Sequence, residues 1–418
     1  MSIEGLAAEL PEWCWPPPSW PSVPAAPPAP AAERPPVAET PFLWRQEPSS
    51  APPGPLAGMR LAVKDAIALA GRPLRAGSAL RAEAPPEPAN APIVDRLVEQ
   101  GARLVGATRL HELAFGVTGI NRFEGTAPNP LNRDRIPGGS SSGSAAAVGM
   151  GLADVALATD TGGSARVPAA LCGVVGYKAS RRLPAEGVLP LAPSLDHLGW
   201  CTASAADARR VAVALGLAGR NPPPDDGGRV TKVGVLSDAA EPALHAPFRA
   251  ALDRLLIAGW RVLEIDWPHA DLVFAVSTTI MFAEAARVHP VADQKMIGPD
   301  VRLRLERGLT ISESAYGAAD TLRDDLARSF SQLLDRVDVV ASPTVPVAPP
   351  SLAEAEGQGL PLGAALVRHT RLDNLTGRPA ITLPLDGGRG GGLHLTARTD
   401  AAVLDTAVAI EGILSQPR

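Results

Sequence analysis

The chain has 418 residues, 45% of them apolar and 20% charged, a globular balance long enough for one large domain or two ordinary ones. A formal charge of −5 gives no basic footprint for nucleic acid and no polybasic patch for an anionic membrane. Cys14, Cys172 and Cys201 lie far apart without CxxC spacing, which argues against a zinc site and against a disulfide framework.

The opening residues, Met-Ser-Ile-Glu-Gly-Leu, carry neither a positive segment nor an apolar core, so no secretory signal is expected. From Pro11 to about Pro55 the sequence is dense in Pro and Ala. Pro lacks an amide donor and restricts its neighbour, so an extended arm is expected over residues 1–57 rather than a packed helix or a central strand. Trp13, Trp15, Trp20 and Trp44 sit in this arm, which is unusual for a solvated linker. Either the arm lies across its own domain and buries these rings, or it docks a partner.

From Gly58 short β-branched runs alternate with helical patterns. Strands are expected at Arg60–Val63, Arg103–Gly106, Val155–Thr159, Val230–Leu236, Arg261–Ile265, Val337–Ala341, Ala380–Leu383 and Leu393–Thr396. Apolar residues at three- and four-residue spacing predict helices at Ile93–Gln100, Ala205–Leu215, His245–Leu256, Ala319–Leu334 and Ala401–Leu414. Further helices at Asp271–Val288 and Asp300–Gly308 suggest a helical layer. The longest apolar stretches, such as Leu272 to Phe282, fall short of the roughly 18–20 residues a bilayer span needs, so a soluble cytoplasmic protein is expected. The alternation predicts the α/β class, with one large domain over residues 58–418.

Two segments carry the chemistry. Pro137-Gly138-Gly139-Ser140-Ser141-Ser142-Gly143-Ser144 is a small-residue loop that opens a helix. A P-loop would need Lys where Ser144 stands. A nucleophile elbow would need a strand immediately before it, and Asp134 to Gly138 is poor strand sequence. The second segment, Asp160-Thr161-Gly162-Gly163-Ser164-Ala165-Arg166, follows an apolar run. Its consecutive amides could form a nest for an oxyanion, with Ser164 at the rim as a candidate nucleophile.

A base is then needed. None of the seven His sits in a comparable glycine-rich setting; His111 and His197 come nearest and read as structural. Lys is rare, with Lys64, Lys178, Lys232 and Lys295 the only four among 39 basic residues. Lys64 ends the apolar strand Leu61-Ala62-Val63, where desolvation would favour a neutral amine that Arg could not supply. A buried Lys merely paired with Asp65 or another acid is the competing reading. No S-x-x-K occurs at any Lys, against a β-lactamase-type arrangement.

These two segments, with Ser140 and Ser164 24 residues apart, resemble the glycine- and serine-rich signature of the amidase signature family. Ala62-Val63-Lys64-Asp65, Cys172 to Lys178, Ala192 to Asp196, Ser342 to Val347 and Asn374 to Ala380 are similar to further family motifs, so the likeness spans about residues 58 to 384. It implies a large mixed twisted sheet flanked by helices, with Ser164 as acyl-forming nucleophile, Ser140 as bridging serine after a cis peptide, and Lys64 as ultimate base. The amides of Thr161, Gly162, Gly163 and Ser164 would hold the oxyanion, and Ser141, Asp160 and Arg166 would support the loops. No metal and no cofactor is implied. The expected partner is a small-molecule amide, with no nucleic acid and no membrane, and a homodimer is one expected assembly.

The sequence departs from the family in its Pro-rich start and in Ala165, where a larger aliphatic residue is usual, so altered pocket packing is expected there. Its shortness, with Pro193-Ser194-Leu195-Asp196 and Gly199-Trp200, resembles members such as plant indole-3-acetamide hydrolases. The expected activity is hydrolysis of a small carboxamide. A glutaminase subunit of a tRNA-dependent amidotransferase, a carbamate or urea-type hydrolase, and a non-catalytic binding module on the same scaffold stay open. Pocket walls are expected from the helical stretch after Ala270 and from loops around Gly119–Phe123.

Overall fold

The computed structural model describes residues 2–16, 37–220, 231–236, 242–289, 296–385 and 391–416. Its strands in chain order are β1 (Phe42–Arg45), β2 (Arg60–Lys64), β3 (Arg103–Thr108), β4 (Val155–Asp160), β5 (Val175–Lys178), β6 (His197–Thr202), β7 (Lys232–Leu236), β8 (Arg261–Ile265), β9 (Val339–Pro343), β10 (Ala380–Pro384) and β11 (Gly392–Thr396). They form one 11-stranded mixed sheet in the order β1-β3-β2-β4-β6-β5-β10-β11-β9-β7-β8. The predicted α/β class and mixed sheet flanked by helices are what the structure has.

Alternation along the strands assigns the two faces. On β2, Leu61 and Val63 join Leu157, Tyr177 and Trp200 in the core under helices Pro92–Glu99, Ala205–Ala214 and Asp400–Ser415. The intervening Ala62 joins Ala156, Cys201 and the alanines of two short helices, Ser142–Gly149 and Arg166–Cys172. Small side chains on that second face let those helices come close. Lys64, two residues beyond Ala62, therefore points toward the glycine- and serine-rich helix start. A separate helical layer, Ala270–Val288, Pro299–Leu309 and Glu313–Leu333, packs through Val276, Ile280, Val301, Leu322 and Phe330.

Several boundaries move. The helix expected from Ala319 begins at Glu313, where the Ser312 side chain accepts from the Ala315 amide; Ser and Gly in that first turn hide its period. The strand expected at Val337–Ala341 is Val339–Pro343, and that at Val230–Leu236 is Lys232–Leu236, with Val230 outside the described residues. Central strands β5 and β6 were not expected as strands: each is short and interrupted by glycine, Gly176 and Gly199, where a Cβ would approach Ala169 Cβ to 2.4 Å and Tyr177 O to 2.2 Å.

The Pro-rich arm is not uniformly extended. It begins with helix Ile3–Ala7 and a helical turn at Glu12–Cys14, and near its end β1 pairs antiparallel with β3 at the sheet edge. Trp13 packs on Phe282, with ring centroids 5.5 Å apart, and Cys14 is fully buried. Trp20 lies outside the described residues. No helix among the described residues is long and apolar enough to cross a membrane.

Candidate active site

Lys64 is fully buried, and its Nζ donates to Ser140 Oγ at 2.8 Å and to Thr159 Oγ1 at 2.6 Å. Neither partner is charged, and among the described residues no carboxylate pairs with it. Asp65, the competing partner read from sequence, instead accepts from the Ala76 amide at 3.0 Å. Burial pushes the Lys64 ammonium down to about 7, against the opposing pull of Asp160, Asp196 and Cys201. The amine is thus available in its neutral form near neutral pH. Lys178 is buried as deeply, with a pKa likewise lowered to about 7, but among the described residues its Nζ donates only to the Ala179 carbonyl.

The backbones that carry Ser140 and Ser164 run side by side because the two small-residue loops are stitched to one another. The peptide before Ser140 is cis. The Ser140 carbonyl accepts from the His111 amide at 2.9 Å, the Ser141 amide donates to the Ser164 carbonyl at 3.1 Å, and Ser141 Oγ donates to the Thr159 carbonyl at 3.1 Å. Ser141 is therefore the cross-brace between the loops. Around Ser164, Gly163 adopts φ +129°, and a Cβ there would lie 2.2 Å from Thr370 Oγ1. Only glycine fits both the dihedral and the space.

The expected nest is partly occupied by the protein itself. The Gly163 amide donates to Asp160 Oδ1 at 2.8 Å and the Ala165 amide to Asp160 Oδ2 at 3.1 Å. Gly163 thus turns its N–H to the carboxylate rather than to a ligand, a correction to the set of four amides read from sequence. The amides of Thr161, Gly162 and Ser164 have no protein acceptor among the described residues.

Asp160 is gripped by Arg166, which donates from Nε at 3.0 Å and Nη2 at 2.8 Å. Arg166 also reaches Asp373 Oδ2 at 2.5 Å and Asn374 Oδ1 at 2.7 Å, and Asn374 Nδ2 returns to the Asp160 carbonyl at 2.7 Å. Burial would raise the Asp160 carboxyl, but Arg166 and Lys178 hold it well below the ordinary carboxylate range. Asp160 and Arg166 therefore fix the loop from behind and do not line the cavity in front of it. Thr161 Oγ1 donates to Asp196 Oδ1 at 2.6 Å, and Thr370 Oγ1 donates to the Gly162 carbonyl at 2.7 Å.

Sequence reasoning did not single out Thr159, Asp196, Thr370, Asp373 or Asn374 as site residues. Asp196 and Asn374 lay inside recognised motifs, and a charged residue in an apolar context was the available signal. The Thr370 and Asp373 contacts join positions about 200 residues apart, which no local pattern reveals.

In front of the loop lies a cavity of about 350 Å³ lined by Thr161, Gly162 and Ser164. The helix Ala270–Val288 supplies a wall, as expected, through Phe274, Thr278, Met281 and Phe282. Residues Ala114–Val117, not Gly119–Phe123, form the neighbouring wall, and Trp13 and Trp15 of the arm complete it. Ala165 is absent from the lining, since it packs against the sheet near Gly199. Among the described residues no cluster of His, Cys, Asp and Glu could hold a metal ion.

Comparison with known proteins agrees with this architecture. The family model described as Amidase matches residues 43–393. The chain is 35% identical over 389 residues to 2-amino-5-chloromuconic acid deaminase of Comamonas testosteroni, covering 87% of this chain and 83% of that protein. It is 33% identical over 386 residues to the glutamyl-tRNA(Gln) amidotransferase A subunit of Akkermansia muciniphila, covering 82% of each. A solved amidase structure superposes with a TM-score of 0.78 at 34% identity, over 87% of this chain and 86% of that one. The fold, the two stitched loops and these likenesses lead to one conclusion: the chain belongs to the amidase family and is a hydrolase acting on carbon–nitrogen bonds.

Proposed function

We propose that the chain hydrolyses a small-molecule carboxamide to a carboxylate and ammonia or an amine through an acyl-enzyme on Ser164. The observation that carries this reading is the fully buried Lys64 amine, hydrogen-bonded to two hydroxyls and, among the described residues, to no acid, behind the loop that bears Ser164. In its neutral form Lys64 accepts the Ser140 proton while Ser140 accepts that of Ser164, and Ser164 Oγ bonds to the amide carbon. The amides of Thr161, Gly162 and Ser164 receive the developing oxyanion. The relay returns a proton to the departing nitrogen as the carbon–nitrogen bond breaks. Water then cleaves the ester, releases the acid and restores the Ser164 hydroxyl.

The test is labelling with a serine-directed fluorophosphonate, followed by turnover of a panel of primary alkyl and aryl amides. Ser164→Ala is expected to abolish both. Labelling or turnover that survives this substitution excludes Ser164 as the nucleophile. The likeness to an amidotransferase component favours a second reading, a glutaminase working with a partner. Glutamine-specific hydrolysis with a copurifying second protein would support it, and turnover of simple amides by the isolated chain would exclude it.

A further inference from the structure

The cavity in front of Ser164 has an uneven charge. Among the described residues three arginines, Arg304, Arg307 and Arg371, line it, and no Asp or Glu does. Arg304 has an acid partner, and Arg307 is only half-buried. Arg304 pairs with Asp300 at 2.9 Å, and Arg307 lies over the Trp13 ring at 5.4 Å.

Arg371 differs. It is more than nine-tenths buried, and no ion pair among the described residues includes it. Its guanidinium lies 4.2 Å from the Phe274 ring centroid, and its hydrogen bonds all leave Nη1, for the Phe274 carbonyl at 3.3 Å, Ser277 Oγ at 3.2 Å and Thr278 Oγ1, each of them neutral. Its Nε is buried without any partner. Among the described residues no acceptor meets Nη2 either, so the Nε/Nη2 edge, the one that grips a carboxylate with two parallel hydrogen bonds, is bare there. Burial pushes the guanidinium down to about 9, the direction expected of a cation with no anion beside it. A Cys14 thiolate would favour the charge, but burial pushes that thiol up to about 11, so it is neutral at pH 7.

Arg371 is also fixed relative to the nucleophile. A Cβ on Gly162 would lie 3.9 Å from Arg371 Cγ, and the preceding Thr370 holds the Gly162 carbonyl. Much of the lining near it is apolar, including Leu191, Met281, Phe282 and Val367. A desolvated cation, an unused two-point edge and an apolar path to Ser164 together specify a ligand with an anion at one end. We propose that the substrate is an amide whose remote end is a carboxylate, joined to it by a short apolar spacer, and that Arg371 binds this carboxylate. The inference rests on the amide-hydrolysis reading and names its substrate class.

The experiment measures binding to full-length Ser164→Ala protein, by calorimetry or by quenching of Trp fluorescence. The probes are adipamic acid, its methyl ester and hexanamide, of similar spacer length and differing in charge. Adipamic acid is expected to bind at least about tenfold more tightly than either neutral amide, an advantage that falls to within about twofold in the Ser164→Ala, Arg371→Met double variant. Equal affinity for all three probes, or a preference that persists without Arg371, overturns the proposal. Inorganic phosphate competing as well as adipamic acid also overturns it, because the site would then hold any free anion. If Arg371→Met does not fold, the comparison of acid with methyl ester in the Ser164→Ala protein decides alone. Fluorophosphonate labelling of the wild-type chain is read in parallel. Labelling of Ser164 with no carboxylate preference sinks this inference only, whereas absent labelling sinks the nucleophile assignment.

Discussion

Lys64 is the residue on which the proposed chemistry turns. Its surroundings are neutral hydroxyls and the sheet interior, so the balance between ammonium and amine is set by desolvation. Replacing it with Ala is expected to lower kcat at pH 7 by about 10²–10⁴, the usual scale for losing a general base. Lys64→Arg keeps a long cation but cannot deprotonate, and is expected to be inactive up to pH 9. With a pKa of about 7 and the neutral form active, kcat/KM falls as pH drops below about 7 and levels off above it. A profile flat down to pH 5 would remove Lys64 from the base role. The same shift affects stability. The folded-state value lies below the ordinary lysine value near 10.4, so between about 7 and 10 the unfolded chain binds more protons. Stability from this group is present above that window and is lost as pH falls toward 7. Urea midpoints at pH 7 and pH 9 should show the wild type gaining on Lys64→Met as pH rises.

At the scale of elements, the loop bearing Ser164 is held by a charged knot together with the Gly163 and Ala165 amides that donate to Asp160. Arg166 satisfies two buried carboxylates at once. Arg166→Ala removes the guanidinium shared by Asp160 and Asp373, leaving Asp373 only His394 to pair with among the described residues, and is expected to destabilise the fold by about 3–5 kcal/mol in urea unfolding. Gly163→Ala should abolish fluorophosphonate labelling while leaving much of the sheet intact, since a Cβ there meets Thr370 at 2.2 Å and displaces the loop. The loops themselves were legible in sequence, because Gly and Ser crowd where a tight turn and close helix packing require them. The strands β5 and β6 were not, because Gly176 and Gly199 interrupt the β-branched texture for the sake of close contact with Ala169 and Tyr177. The three cavity arginines were equally silent. In a chain where Arg is the default cation, an Arg that lacks an acid looks like any other until the fold removes its solvent.

The whole molecule is one broad sheet whose two faces have different tasks. One carries the large core of Leu61, Leu157 and Trp200, and the other carries small residues that admit the two glycine- and serine-rich loops. That division is readable in the sequence, in the alternation of Leu61, Ala62, Val63 and Lys64. Of the two placements the tryptophans suggested, the arm lies across its own domain at Trp13 and Trp15, but its Pro-rich composition did not reveal that these rings would wall the cavity. Residues 2–16 pack on the helical layer and close one side of the cavity. Deleting them is expected to raise KM for apolar amides about tenfold, with a smaller effect on kcat, because apolar contact is lost from binding rather than from the transition state alone. Similar KM values for the full and truncated chains would show that the arm is no part of the pocket.

Cys14 turns that arm into its own reporter. With the first residues seated, its sulfur is sealed beneath them, while Cys172 and Cys201 are sealed in the body of the sheet. Any lifting of the amino end frees the first of these thiols and leaves the other two shut. The rate at which one equivalent of a disulfide reagent is consumed then clocks how often the entrance to the cavity opens, and an occupant that holds the two tryptophans down should slow that clock.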